Sequence, residues 1–304
     1  MQDQPLPFPL KLICDLSDRL QGRTVSAAGI GADETVALLL DLPLIDPIQP
    51  KRIPLPRPAV LLARNGEVRE LGGGGRSGLI QPLLDGGYVI ASTVADGDRE
   101  ANARRFDAEG RLLTEFYIDD SAECLMADGH DNLWFGYCVD GVATGWGNFA
   151  NGICRFSSSG RLLWSWPRPV DQDEIEAVVD CHALNVVADA VWACSQGPSN
   201  ELVQISAGGS LRMWHLPTTD IVLAFACDGA HALTIARHND QPSGKWLLWD
   251  IGDESLENPS TVASVPALPL KQHLGARGPI LYIEDGGRIY RGDIREIGTS
   301  RVAP

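Results

Sequence analysis

No run of apolar residues in this 304-residue chain is long enough to cross a bilayer as a helix: the longest, Thr35 to Ile45, is cut by Asp41 and Pro43. In Met1 to Leu20 the basic residues are Lys11 and Arg19, and three prolines come ahead of any apolar stretch, so the basic and hydrophobic regions of a secretory leader are not expected there. Basic residues are in deficit overall, 25 against 40 acidic ones, for a net charge of −15. Such a charge repels polyphosphate backbones and anionic lipid, so neither nucleic acid nor a membrane is an expected partner. The seven cysteines, Cys14, Cys124, Cys138, Cys154, Cys181, Cys194 and Cys227, are odd in number and contain no CxxC pair. They read as reduced, buried thiols of a cytoplasmic protein. HExxH, GxSxG, P-loop and EF-hand patterns are all missing, and the six histidines are scattered. Gly73 to Gly78 spells G-x-G-x-x-G, but Pro82 and strand-like residues follow where a dinucleotide site needs a helix, so it reads as a turn.

What the chain does have is turns and repetition. Its 32 glycines and 20 prolines are too many for long helices. Arg105-Phe-Asp-Ala-Glu-Gly-Arg-Leu-Leu113 recurs as Arg155-Phe-Ser-Ser-Ser-Gly-Arg-Leu-Leu163, and weaker copies are Gln204 to Arg212 and Leu61 to Arg69. Each copy reads strand, glycine turn, strand. Between them lies a second hairpin, Met126-Ala-Asp-Gly-His-Asp-Asn-Leu-Trp-Phe135, echoed at Val187 to Ala193 and Cys227 to Thr234. Two hairpins per unit make four strands, and Gly110 and Gly160 set a period near 50 residues. The predicted fold is all-β, a six-bladed β-propeller of four-stranded antiparallel blades in a single domain over residues 1–304. The blades fall at 22–71, 76–118, 121–166, 177–216, 219–251 and 262–297, and residues 8–16 can add a ring-closing strand to the last. The stretches 41–58, 140–152 and 252–271 read as long loops, the first because its prolines exclude a helix or central strand.

Trp134 with Trp192, and Trp164 with Trp214, recur at equivalent places and read as packing between blades. Trp146 and Asn148 lie instead in the irregular loop Gly141 to Phe149 and are candidate ligand contacts. Stacking the blades on Trp134 and Trp192 puts Glu123, Asp180 and Asp220 at matching places on the first strands, which line the central channel. These three carboxylates are the candidate catalytic groups and metal ligands, for Ca²⁺ or Mg²⁺, with Asn185 as an added neutral oxygen and His182 as a further ligand contact. His182 adjoins Cys181, but strand neighbours point to opposite faces, which argues against a Cys-His nucleophile pair. Without a cation, three crowded carboxylates should raise at least one of their pKa values, so Asp180→Asn should stabilise the fold near pH 7.

The Arg-Phe-Asp-x-x-Gly-Arg-Leu-Leu hairpin, the Asp-Asn-Leu-Trp-Phe strand, the Gly-Trp-Gly loop and Asp180-Cys-His-Ala-Leu-Asn-Val186 together resemble a group of uncharacterised bacterial β-propeller proteins over residues 100–216. The architecture is more distantly similar to the six-bladed gluconolactonase and senescence-marker superfamily, whose members hold a divalent metal at the channel mouth. No motif of that superfamily is matched residue by residue, so the resemblance implies the architecture alone. The expected function is small-molecule binding or processing at the channel mouth, with metal-assisted hydrolysis of a lactone or ester as the reaction to test. The competing class is a non-catalytic scaffold that displays loops 41–58 and 140–152 to a protein partner.

Overall fold

Every residue from Val36 to Leu40 is buried, a pattern that a strand with one solvated face does not show. Alternate side chains of this run enter different cores. Val36, Leu38 and Leu40 pack with Ile280, Tyr282 and Ile289, while Ala37 and Leu39 pack with Ile80, Tyr88 and Ile90. Successive residues on a strand point to opposite faces, so such a strand belongs to a sheet covered by a neighbouring sheet on each side.

The computed structural model describes residues 9–41, 59–72, 78–93, 100–138, 152–166, 180–187, 190–196, 200–218, 220–237, 244–253, 255–265 and 274–297. Their strands form six four-stranded antiparallel sheets arranged as a six-bladed β-propeller. The first blade holds β2 (Thr24–Ile30), β3 (Val36–Asp41), β4 (Ala59–Arg64) and β5 (Glu67–Gly72). The second holds β6 (Leu79–Pro82), β7 (Tyr88–Ala91), β8 (Ala103–Phe106) and β9 (Leu112–Phe116). The third holds β10 (Ala122–Ala127), β11 (Leu133–Tyr137), β12 (Ile153–Phe156) and β13 (Leu162–Ser165). In the fourth are β14 (Asp180–Val187), β15 (Ala190–Gln196), β16 (Asn200–Ser206) and β17 (Leu211–Leu216). The fifth contains β18 (Ile221–Cys227), β19 (His231–Arg237), β20 (Gly244–Ile251) and β21 (Leu256–Val265). The sixth is built from β22 (Leu274–Arg277), β23 (Ile280–Asp285) and β24 (Arg288–Asp293), with β1 (Lys11–Asp15) paired to β24 as its outermost strand.

The first strand of each blade touches the first strand of the next, from β2 through β6, β10, β14 and β18 to β22, and β22 touches β2. The ring is thereby closed, and β1 joins the start of the described chain to its last blade, which leaves no sheet stack open. Six apolar clusters fill the six clefts between neighbouring blades. The repeated tryptophans sit at these clefts as pairs, Trp134 against Trp164 at 5.6 Å and Trp192 against Trp214 at 5.3 Å between ring centroids. All seven cysteines are free thiols. Among the described residues no helix is long and apolar enough to cross a membrane.

One expected loop is a strand. β21 occupies 256–265, inside the stretch read from sequence as irregular, and pairs with β20 from Gly244↔Val265 to Ile251↔Leu256. Pro259 has no N–H to donate, but β21 is outermost in its blade and needs to donate on one side only. The ladder also slips between Leu248 and Asp250, opposite this proline.

The repeat glycines have the positive φ that their turns require, Gly66 at +80° and Gly160 at +87°. Their surroundings differ. A Cβ on Gly66 meets nothing within 4 Å, whereas one on Gly160 lies 2.3 Å from the Phe116 side chain of the preceding blade. Gly66→Ala should therefore cost about 1 kcal/mol from backbone strain alone, and Gly160→Ala about 2 kcal/mol because Phe116 must also move. Urea denaturation of the two variants beside the parent chain checks the difference.

Candidate functional site at the channel mouth

The inner strands do not run as regular ladders. In β10 the pairing steps from Ala122↔Tyr137 to Cys124↔Gly136, leaving Glu123 as an extra residue. In β14 it steps from Cys181↔Ser195 to Ala183↔Cys194, leaving His182. The same slip leaves Leu223 in β18 and Ser26 in β2. A bulge re-aims its extra side chain, and Glu123, His182 and Leu223 all border the central cavity. Glu123 and His182 are thus structurally equivalent positions on adjacent blades.

They meet. His182 Nδ1 lies 2.5 Å from Glu123 Oε2, and its Nε2 lies 3.1 Å from Asp180 Oδ2. Ligand atoms of Glu123, Asp180 and His182 all fall within 4.8 Å of one another. Asp180 and His182 are largely buried, with side chains 14% and 19% exposed, whereas Glu123 is 40% exposed and faces the opening. Burial by itself pulls the imidazole pKa down, but the hydrogen bonds and negative charge of Asp180 and Glu123 outweigh it and push the value up to about 10. At neutral pH the group is an imidazolium held between two carboxylates. Asp180 also keeps Oδ1 buried with no hydrogen-bond partner among the described residues.

The residues singled out from sequence divide accordingly. Glu123, Asp180 and His182 come together, His182 as the centre of the cluster and not as an accessory contact. Asp220 is not a member. Counted from the bulge residues, Asp220 is three positions before Leu223, Asp180 is two before His182, and Glu123 is itself the bulge residue, so the three are not equivalent positions. A one-residue offset on a strand reverses the direction of the side chain. Asn185 is fully buried and is a strut, not a channel ligand. Its Nδ2 donates to Phe225 O at 3.1 Å and Gly278 O at 2.8 Å, and its Oδ1 accepts from Gly278 N at 2.6 Å. Trp146 and Asn148 lie outside the described residues, as do 42–58 and 140–151 of the two loops expected at 41–58 and 140–152. Cys181 donates toward Ala183 O and Cys124 toward Cys181 O, so neither thiol is turned to the imidazole as a nucleophile.

The orphaned Asp180 Oδ1 and the spacing of the three side chains provide a test for a cation. One imidazole nitrogen and two carboxylates form a mixed N/O donor set, which suits first-row ions such as Zn²⁺ or Mn²⁺. It suits Ca²⁺ and Mg²⁺ less well, because these take oxygen donors, and the oxygens expected from Asp220 and Asn185 are not in the cluster. Any such ion must displace the proton of His182, so its binding falls as pH falls.

No family model and no curated protein matches the chain. Solved structures do. A protein assigned as an oxidoreductase (glucose dehydrogenase) from Thermus thermophilus aligns with TM-score 0.53 at 13% identity, over 94% of this chain and 99% of that one. Virginiamycin B lyase from Staphylococcus aureus aligns with TM-score 0.49 at 13% identity over 94% and 98% of the two chains, and a gluconolactonase from Xanthomonas campestris with 0.48 at 14% over 96% and 98%. At 13% identity the first of these likenesses is one of fold alone, along almost the whole of both chains.

Proposed function

We propose that this protein binds and processes a small molecule at the channel mouth by acid-base chemistry, with hydrolysis of a neutral ester or lactone as the reaction. The observation that carries the reading is the imidazolium of His182 between Glu123 and Asp180, at the opening of a cavity of about 320 Å³. That volume is at the lower end of the range for small-molecule sites.

Each residue has a part that its placement supports. Asp180, the more buried acid, holds Nε2 and fixes the ring. His182 keeps its proton at neutral pH and donates it to the leaving oxygen as the acyl–oxygen bond breaks. Glu123, exposed at the opening, takes a proton from the attacking water as the water oxygen bonds to the carbonyl carbon. The products are a carboxylic acid and an alcohol, and passage of the Glu123 proton to His182 restores the starting state. A first-row cation held by Glu123, Asp180 and His182 would supply Lewis-acid polarisation of the carbonyl instead.

The test is hydrolysis of a panel of neutral esters and lactones, with chelator and with added Zn²⁺ or Mn²⁺. Glu123→Gln and His182→Asn should each lower kcat/KM by about a hundredfold or more. Asp180→Asn should lower kcat less and move the basic limb of the pH profile toward lower pH, since the ring then releases its proton earlier. Turnover of the panel unaffected by any of the three substitutions would remove the hydrolytic reading.

A further inference from the structure

Arg105 and Arg155 open the two clearest copies of the hairpin repeat, yet the fold gives them different company. In the second blade Arg105 lies between Val89 and Thr114 on the neighbouring strands, and its Nη2 donates to Asp85 Oδ2. Asp85 belongs to the turn between β6 and β7. The matching turn of the third blade closes in the same way, Asp128 N on Asn132 O as Leu83 N on Gly87 O, which sets His130 at the place of Asp85. Arg155 therefore lacks the carboxylate that its counterpart has. Its guanidinium makes no hydrogen bond among the described residues, although its Nε is buried. Asp128 is 3.9 Å from that Nε, but its oxygens already accept from His130 N, from Asn132 N and Nδ2, and from Trp134 Nε1.

The strand neighbours of Arg155 are changed as well. They are Trp134 on β11 and Trp164 on β13, so one face of the third blade carries a row of Trp, Arg and Trp. The guanidinium carbon is 5.6 Å from the centre of the Trp134 ring. Trp164 is half-buried, and its indole N–H has no acceptor among the described residues. This row faces the turn after β16 of the fourth blade across a groove of about 360 Å³, bordered there by Ile205, Ala207 and Gly209. Gly209 keeps the groove open, since a Cβ on it would lie 3.3 Å from Trp164 Nε1. No acidic side chain lines the groove, and it shares no lining residue with the central cavity.

A guanidinium and an indole N–H without acceptors call for a group that only accepts, and a carboxylate fits the fork of an arginine with two parallel bonds. Tryptophan faces beside them favour a flat apolar body. We propose that this groove is a second binding site, for a small molecule with a carboxylate on an aromatic ring, the carboxylate held by Arg155 and the ring set against Trp164.

Benzoate and indole-3-carboxylate are the probes, followed by titration calorimetry and by ¹H–¹⁵N spectra in which Trp164→Phe assigns the Trp164 indole resonance. Ligands of about a dozen heavy atoms should bind with a dissociation constant of about 1 mM and shift that resonance. Benzamide, which has the ring without the charge, should bind about tenfold more weakly. Arg155→Gln should cost about tenfold or more, whereas Arg105→Gln, in the copy without the tryptophan row, should leave the affinity unchanged. Ala207 is exposed on the turn, so Ala207→Glu brings a like charge to the rim with no change in the core and should weaken binding severalfold. Thermal melts establish which variants are folded, and Ala207→Glu decides if Arg155→Gln is not. A parent protein that binds neither probe overturns the proposal, as does an affinity unmoved by both Arg155→Gln and Ala207→Glu. Binding lost in His182→Gln but kept in Arg155→Gln would place the probe at the imidazolium of the channel mouth and overturn it too.

Discussion

Asn185→Leu is expected to destabilise the protein by about 4 kcal/mol, the largest effect of any substitution considered, although its shape nearly matches and the site lies inside the fold. The amide makes three hydrogen bonds that join the fourth blade to the fifth and sixth. Leucine removes all three, worth about 1 kcal/mol each, and leaves the buried Gly278 N–H without its acceptor, which adds the cost of a desolvated donor. Asn185→Asp separates the two halves of the amide. Its oxygen can still accept from Gly278 N, but its second oxygen then faces the carbonyls of Phe225 and Gly278, so the carboxyl must hold a proton there. Its folded pKa is raised above the unfolded one. The folded state then binds more protons, and stability present at low pH is lost as pH rises through the folded pKa. Denaturant titrations at pH 4 and pH 8 should find Asn185→Asp much closer to the parent chain at the acidic end.

His182→Gln is expected to cost about 3 kcal/mol at pH 6 to 7, since removing one partner leaves two carboxylates facing each other in a half-buried site. The cost stays below the full value implied by the imidazole's shift because Glu123 is 40% exposed and screened by solvent. The sign with pH is fixed by the direction of the shift. The folded pKa of about 10 is above the ordinary value of 6.5, so the imidazolium's contribution is complete below about pH 6.5 and is lost as pH climbs to 10. The gap between parent and variant should therefore narrow over that interval, read from urea midpoints at constant m. The same geometry reverses the sign expected from sequence for Asp180→Asn. With a cation between the acids rather than a third carboxylate, neutralising Asp180 removes an attraction and should cost about 1 kcal/mol near pH 7.

The blades were legible because each carries its own turn chemistry. A glycine at positive φ recurs at Gly66, Gly110, Gly160 and Gly209, and an aromatic pair recurs in the third and fourth blades. The site was only half legible, and the reason is local. Counting along strands assumes a side-chain period of 2, and the bulges at Glu123 and His182 insert one residue into it. Glu123 and Asp180 were found because they converge from different registers, whereas Asp220 was assigned by the same count and falls one step out of place. His182 was read only as a further ligand contact, because the count treats it as one more residue of a regular strand, and it is the bulge that sets it beside Glu123. For Asn185 a signal was available. An amide within Ala183-Leu184-Asn185-Val186-Val187, a run with too few polar residues to be solvated, has to be satisfied by backbone, which marks a strut rather than a ligand. β21 was missed because 252–271 interrupts the hairpin repeat, and an outermost strand, which pairs on one side only, needs no repeat pattern to form.

The central claim is that a carboxylate-bound imidazolium stands at the mouth of the channel, and the protonation state of His182 tests it most directly. Long-range ¹H–¹⁵N spectra of uniformly labelled protein, with His182→Gln to assign the resonances, report both ring nitrogens as pH is raised. The account predicts that both nitrogens of His182 stay protonated from pH 6 to at least pH 9, and that Glu123→Gln or Asp180→Asn brings the titration down toward the ordinary range. A metal-free His182 that titrates near 6.5 in the parent protein, and is unmoved by either substitution, would contradict it.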